Sequence, residues 1–237
     1  QLESQPGLKL FNLGGGKTVL RRTDLLTGRE IWKQDFSPKT HVGLIDDHYA
    51  MAVDAAAGGR TSKRGVALIR LSDGERQTLA PAALPSADGE FFPLVDADSV
   101  YLIANHGDGN TYHYGDSLTT MPVNGTVCAW DRVTGELLWS RDVDDQNLVL
   151  ERFAPSPVLL FLTRSWKQSG VASFTLLNML ALGKRSGQIL HDSSVPSMFG
   201  GFHSLTLREH ESTIELSSYN LKLRLLPRRE DPLPESP

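Results

Sequence analysis

The chain has 237 residues, 40% hydrophobic and 22% charged, an ordinary globular composition with enough apolar material for a sizeable core. A formal net charge of −4 carries no electrostatic footprint for nucleic acid or an anionic membrane surface. No apolar run reaches the roughly 18 residues of a membrane span, and the lone cysteine, Cys128, excludes an internal disulfide.

Residues 1–17 read as a lead-in with one partial strand, Leu8-Lys-Leu-Phe11. The first residues lack the basic and apolar regions of a signal peptide. The chain is therefore expected to be cytosolic, already processed, or cut from something longer. Gly14-Gly-Gly-Lys17-Thr18 is not a phosphate-binding loop, because Phe11 stands where that motif needs its first glycine and β-prone residues follow.

The first strong signal is Asp24-Leu-Leu-Thr-Gly28-Arg-Glu-Ile-Trp32, which returns as Asp131-Arg-Val-Thr-Gly135-Glu-Leu-Leu-Trp139. Weaker copies are Arg70-Leu-Ser-Asp-Gly74 and Gly183-Lys-Arg-Ser-Gly187. In each, a polar residue (Thr27, Asp73, Thr134 or Ser186) precedes a glycine that accepts the positive φ of a tight hairpin turn. The strands entering the last three turns alternate, with Val66 and Leu68, Val127 and Ala129, and Met179 and Ala181 in equivalent places. That period of two predicts one face against a core. Arg22 breaks the pattern in the first copy and predicts an edge or boundary there.

Each repeat also carries a looser hairpin. Val42-Gly-Leu-Ile turns through Asp46-Asp-His48 into Tyr49-Ala-Met-Ala-Val53, and Phe92-Pro-Leu-Val turns through Asp96-Ala-Asp98 into Val100-Tyr-Leu-Ile103. Phe153 leads through Pro155-Ser-Pro157 into Val158-Leu-Leu-Phe-Leu162, and Leu205-Thr-Leu207 turns through Arg208-Glu-His-Glu211 into Ile214-Glu-Leu216. Two hairpins per repeat make a four-stranded antiparallel sheet, the unit of a propeller blade. The turn glycines are 46, 61 and 52 residues apart. These spacings exceed the roughly 40–45 residues of a compact blade and predict loop inserts at 55–64, 81–89 and 105–124. Residues 220–226 read as one more strand, and the proline-rich 227–237 as a disordered tail.

Ala129-Trp-Asp-Arg-Val-Thr-Gly-Glu-Leu-Leu-Trp139 and Thr23-Asp-Leu-Leu-Thr-Gly-Arg-Glu-Ile-Trp32 resemble the repeat of the pyrroloquinoline-quinone-type β-propellers, roughly Ala-x-Asp-x-x-Thr-Gly-x-x-x-Trp. The resemblance extends over about residues 18 to 220. It implies an all-β fold, with residues 18–226 forming about four PQQ-like blades that are a partial propeller or part of a larger one. It also implies that Trp32 and Trp139 pack on the Thr-Gly turn of a neighbouring blade. Thr78 and His191 replace the tryptophan elsewhere, which weakens that tie. The family's dehydrogenases carry adjacent cysteines and a calcium-binding Glu, Asn and Asp set. A single cysteine and no match to that set favour the non-enzymatic branch, exemplified by the lipoprotein of the outer-membrane β-barrel assembly machine, with a bacterial, periplasmic or extracytoplasmic setting.

The candidate metal ligands are His106, Asp108, His113 and Asp116, gathered in a glycine-rich insert. Imidazole and carboxylate suit a transition metal, but the spacing matches neither a zinc nor a calcium rule. The competing reading is a solvated insert or a polar recognition surface. His203 and His210 with Glu209 and Glu211 read as a solvated turn, and 60–64 as a short basic loop. Asn124-Gly-Thr126 is a glycosylation sequon, relevant only in a eukaryotic secretory setting. The structural repeat set is Asp24, Thr27, Gly28, Trp32, Gly74, Asp131, Thr134, Gly135, Trp139 and Gly187. The expected function is a non-catalytic scaffold or protein-interaction module, the C-terminal part of a larger protein, bound to a protein partner or to the upstream portion of the same chain. No cofactor is expected, neither pyrroloquinoline quinone nor calcium. The alternative is a divergent quinoprotein dehydrogenase fragment or a metal-dependent enzyme domain.

Overall fold

The computed structural model describes residues 6–12, 18–38, 40–54, 61–85, 90–106, 118–169, 172–197, 204–208, 213–217 and 222–225. Every regular element among them is a β-strand, and the sheets are antiparallel meanders of the propeller-blade kind. No helix among the described residues is long and apolar enough to cross a membrane. The chain divides into two compact units. The first comprises Gln1–Thr111, Val123–Gln146 and Leu182–Gln188, and the second Tyr112–Pro122, Asn147–Ala181 and Ile189–Pro237.

In the first unit, β1 (Leu8–Asn12), β2 (Thr18–Thr23) and β3 (Glu30–Phe36) form a three-stranded sheet in that order. A second sheet follows from β4 (His41–Leu44), β5 (Tyr49–Val53), β6 (Thr61–Arg70) and β7 (Arg76–Pro85). The third, of seven strands, begins with β8 (Phe91–Val95), β9 (Ser99–Asn105), β10 (Thr120–Asp131) and β11 (Leu137–Val149), of which β10 belongs to this unit from Val123 and β11 as far as Gln146.

The recurrent turns all belong to this unit and share one construction. Gly28, Gly74, Gly135 and Gly187 have φ of 69°, 76°, 74° and 63°. Each donates its N–H to the carbonyl four residues earlier, over 2.8–2.9 Å. In the two strong copies an aspartate organises the turn. Asp24 Oδ1 accepts the N–H groups of Leu26 and Thr27, and Asp131 Oδ1 those of Val133 and Thr134. In the second copy Arg70 replaces that aspartate, and Asp73 instead accepts the N–H of Glu75 while pairing with the Arg70 guanidinium. The looser hairpins rest on Asp46, which accepts from His48 and Tyr49, and on Asp96, which accepts from Asp98 and Ser99.

The core is a stack of sheets. Ala50, Ala52 and Ile69 of the second sheet lie with Leu8, Leu20, Trp32 and Phe36 of the first. From the opposite face, Met51, Val53, Val66 and Leu68 lie with Val100, Leu102, Cys128 and Trp130 of the third. The alternation in the sequence predicted one core-facing side, whereas the second sheet buries both. Its strands are therefore apolar on successive residues, as a sheet covered on two sides requires.

Three further expectations change. Of the edge-or-boundary reading of Arg22 the edge fails: β2 is the central strand of its sheet, and the Arg22 guanidinium donates to the Leu71 carbonyl of the next sheet. The described parts of the inserts at 55–64 and 81–89 are paired strand rather than loop, and Thr120–Asn124 of the insert at 105–124 open β10; 55–60, 86–89 and 107–117 lie outside the described residues. Thr61–Arg64 face Ala82–Pro85 in register beyond an irregularity at Gly65, lengthening the β6–β7 hairpin. Finally, Phe153, read as the flank of the third looser hairpin, lies in a turn. β11 runs unbroken to Val149, since nothing between Trp139 and Asn147 is glycine or proline. Within it Asp145 has a φ of 48°.

In the second unit the end of β11 pairs with β12 (Val158–Ser169) at Asn147↔Leu162 and Leu148↔Phe161. β13 (Ala172–Gly183) and β14 (Ile189–Ser197) continue the order. Their core joins Leu118, Val149, Leu160, Leu162, Leu177, Met179 and Ala181. β15 (Ser204–Arg208), β16 (Thr213–Ser217) and β17 (Lys222–Leu225) form a three-stranded sheet, with buried Glu215 paired to Arg224 at 2.9 Å. Residues 227–237 lie outside the described residues.

Candidate binding groove

Of the candidate metal ligands, the described residues include only His106, which is exposed and donates its backbone N–H to the Asn124 carbonyl. Asp108, His113 and Asp116 lie outside the described residues, as do His203, Glu209, His210 and Glu211. Among the described residues there is no group of three or more His, Cys, Asp or Glu side chains able to hold a metal ion.

The repeat residues form joints between sheets. The Trp32 indole N–H donates to the Leu71 carbonyl at 3.0 Å, and its ring lies over Gly74. Trp139 repeats the arrangement, donating to the Lys184 carbonyl at 2.7 Å with its ring over Gly187. Between the second and third sheets, where Thr78 replaces tryptophan, the joint is made differently. Gln77 Nε2 donates to the carbonyls of Arg132 and Val133, the Ala80 N–H to the Gly135 carbonyl, and the Trp130 indole to the Ala80 carbonyl. Sequence reasoning missed Gln77 and Trp130. A tryptophan inside an apolar strand looks like core, and here it is core and joint together.

A polar cluster closes another joint. Lys184 Nζ lies 2.8 Å from Asp96 Oδ2, both side chains are buried, and the Tyr101 hydroxyl donates to the same carboxylate. Burial alone would raise the Asp96 pKa. The Lys184 ammonium and the N–H groups of Ser99 and Asp98 outweigh it and hold the carboxyl below its ordinary value. Burial pushes the Cys128 thiol up to about 11. A thiol so protonated is no nucleophile near neutral pH.

A concavity in the first unit lies between the edge strands β4 and β8. It is a groove of about 420 Å³, floored by buried Met51, Val53 and Leu102. Its walls are His41 and Gly43 on one side and Phe91, Phe92 and Pro93 on the other, with Glu90 at one end. Gly43 faces the Pro93 ring, which lies at ordinary contact distance, 3.8 Å, from where a Cβ would stand. The His41 ring tilts against Phe91 at 5.1 Å, and the buried Arg64 guanidinium sits over the same phenyl at 5.5 Å. Desolvation, followed by the nearby Arg64 charge, lowers the His41 pKa. His41 is exposed at the rim, and the shift favours its neutral form, which carries one N–H donor and one acceptor nitrogen. Apolar walls with one such group suit the binding of a side chain better than bond-breaking chemistry. No sequence motif announced the groove, because its two walls are some fifty residues apart.

No family model and no curated protein matches the sequence. Solved structures with a distant likeness include Sqt1 of Saccharomyces cerevisiae, at 13% identity and a TM-score of 0.34, over 89% of this chain and 55% of that one. Another is the β-propeller domain of the Trilobed protease from Pyrococcus furiosus, at 7% identity and a TM-score of 0.36, over 95% and 82%. This chain thus spans about half the length of the Sqt1 chain. Neither likeness is close enough to carry over a property.

Proposed function

We propose that this chain is a non-catalytic β-propeller-type scaffold that works by binding another polypeptide. The observation that carries the reading is the β4–β8 groove, where His41, Phe91, Phe92 and Pro93 remain partly open to solvent on a rigid two-sided stack. Aromatic and proline side chains held open on a rigid frame offer contact area at little entropic cost, which is how interaction sites concentrate their energy. The polar groups near by serve the fold: Asp96, Lys184 and Tyr101 satisfy one another, and Cys128 is buried. PQQ-like repeats in an extracytoplasmic setting belong to the same proposal and rest on the Thr-Gly/Trp motif alone.

Panning a random peptide display library against the purified chain tests the reading. Enriched peptides should bind saturably and lose about tenfold in affinity against Phe92→Ser, the effect of removing one good contact. The thermal midpoint of that variant should stay close to the parent's. No enrichment, together with one equivalent of metal by elemental analysis or a quinone absorbance, would overturn the proposal in favour of an enzyme.

A further inference from the structure

Among the described residues the first sheet has three strands, where the next two sheets of the unit open with an additional strand. In the second sheet that opening strand is β4, and in the third it is β8. Measured from the shared Thr-Gly-type turns, β3 corresponds to β7, β2 to β6 and β1 to β5. The place equivalent to β4 is therefore the outer edge of β1.

Three observations describe what that edge is built to take. The first is hydrogen bonding. Thr23 donates its N–H to the Gly7 carbonyl, and the register pairs Leu8 with Arg22, so Lys9 and Phe11 turn their backbone groups toward β2. Leu8, Leu10 and Asn12 turn theirs outward by the alternation of an antiparallel ladder. β8 differs: Glu90 accepts from Asn105, which places Phe91, Pro93 and Val95 outward, and Pro93 has no N–H to offer. The β8 edge is thus guarded against a further strand, and among the described residues nothing comparable guards the β1 edge.

The second is packing. In the neighbouring pair of sheets, His41 and Gly43 of β4 lie over Phe91 and Pro93 of β8. The corresponding residues facing the first sheet are Val42 and Leu44, which are only half-buried beside Leu10. A strand on β1 would cover them with the side chains opposite Leu8 and Leu10. The third is charge. The registers Lys9↔Arg21 and Arg21↔Lys33 put three cations in one cross-strand row on the sheet's other face, an unfavourable arrangement unless answered by an anion. Lys33 has Asp35 at 3.1 Å, and Arg21 stacks on Phe11 at 4.8 Å. Arg21 Nε is shut off from solvent with no hydrogen-bond partner among the described residues.

We propose that the outer edge of β1 is a strand-addition site for an extended segment of a partner polypeptide with alternating apolar and acidic residues, which completes the first sheet as β4 and β8 complete theirs. The inference rests on the reading of the chain as a polypeptide-binding module, but uses a different surface. The residue opposite Lys9 would sit in a non-hydrogen-bonded pair, where side chains come closest, and extend the cationic row with a carboxylate. A second copy of this chain is the poorer occupant, because β1 carries no carboxylate to answer the cationic row.

The probe is a fluorescein-labelled, acetylated and amidated peptide, Ser-Val-Glu-Val-Glu-Val-Ser, followed by fluorescence anisotropy with the intact chain. N-methylation of the valine amides, which face β1, should weaken binding about tenfold or more, the equivalent of one or more lost hydrogen bonds. N-methylation of the glutamate amides, which face away, should be tolerated. Lysine in place of glutamate should weaken binding to the parent, and Lys9→Glu, an exposed change, should reverse that preference. The proposal is overturned if the probe does not bind, if the two methylated peptides bind alike, or if Lys9→Glu leaves the charge preference unchanged. A dimer of the chain dispersed by Leu10→Pro would assign the edge to a second copy and likewise overturn it. Library peptides that bind through Phe92 while this probe fails would sink the strand site alone.

Discussion

Gly28 and Gly187 share a backbone angle but not a neighbourhood, and the difference separates two reasons for glycine at these turns. At Gly28, φ is 69° and nothing lies within 4 Å of where a Cβ would stand. Gly28→Ala should therefore meet only the left-handed backbone penalty, about 1 kcal/mol. At Gly74 and Gly187 the rings of Trp32 and Trp139 stand 2.7 Å and 2.6 Å from the same point. Alanine there must also displace an indole, adding about 1–3 kcal/mol of overpacking. Urea unfolding should rank Gly28→Ala clearly above Gly74→Ala and Gly187→Ala, and equal losses would show that the indoles do not press on the turns. From the other side of the same joint, Trp139→Ala should cost about 3–5 kcal/mol, as large-to-small core changes do. Cys128 gives a third measurement. With its thiol pushed up to about 11 and its sulfur 3.4 Å from Ser140 Oγ, it should resist a thiol reagent at pH 8 until denaturant is added. Rapid labelling of the native chain would contradict its burial.

Strands and turns were legible in the sequence wherever their cause is local. The Asp-x-x-Thr-Gly turns declare themselves because Asp24 and Asp131 bond to amides two and three residues on, so the whole device sits inside one short string. Pairing across distance was not legible. Thr61–Arg64 look like a polar loop until Ala82–Pro85 lie beside them. The groove and the Gln77 joint depend on partners some fifty residues away and leave no local mark. Asp96 belongs to both classes. It organises its own turn, which the sequence shows, and it pairs with Lys184 eighty-eight positions on, which the sequence does not. Because both side chains are buried, Asp96→Ala should destabilise the chain by about 3–5 kcal/mol, chiefly by stranding the ammonium. Lys184→Met in the same chain should recover a large part of that loss. If the double variant is no more stable than Asp96→Ala, the pair is not the source of the effect.

For the whole chain, these local shifts sum to a pH dependence with two windows. His41 has a folded pKa below its ordinary 6.5. The unfolded chain therefore takes up a proton there first, so stability is full above about pH 6.5 and declines as the pH falls from 6.5 toward the folded value. The carboxylates give a second window. Asp24, Asp96 and Asp131 are held below the ordinary 3.8, and Asp73 falls to about 2 through its bonds with Arg70 and the Glu75 amide. Their stabilisation is present above about pH 3.8 and is lost as pH falls through their folded values. The exposed turn aspartates contribute little of this, and buried Asp96 most, since solvent screens the former. Denaturant midpoints should be flat from pH 8 to about 6.5, step down modestly below it, and fall steeply below about pH 4. His41→Gln should remove the first step and leave the second, while Asp96→Asn should blunt the second and leave the first. A first step that survives His41→Gln would mean that the groove imidazole is not desolvated, and that the rim of the groove is more open than its stacking on Phe91 describes.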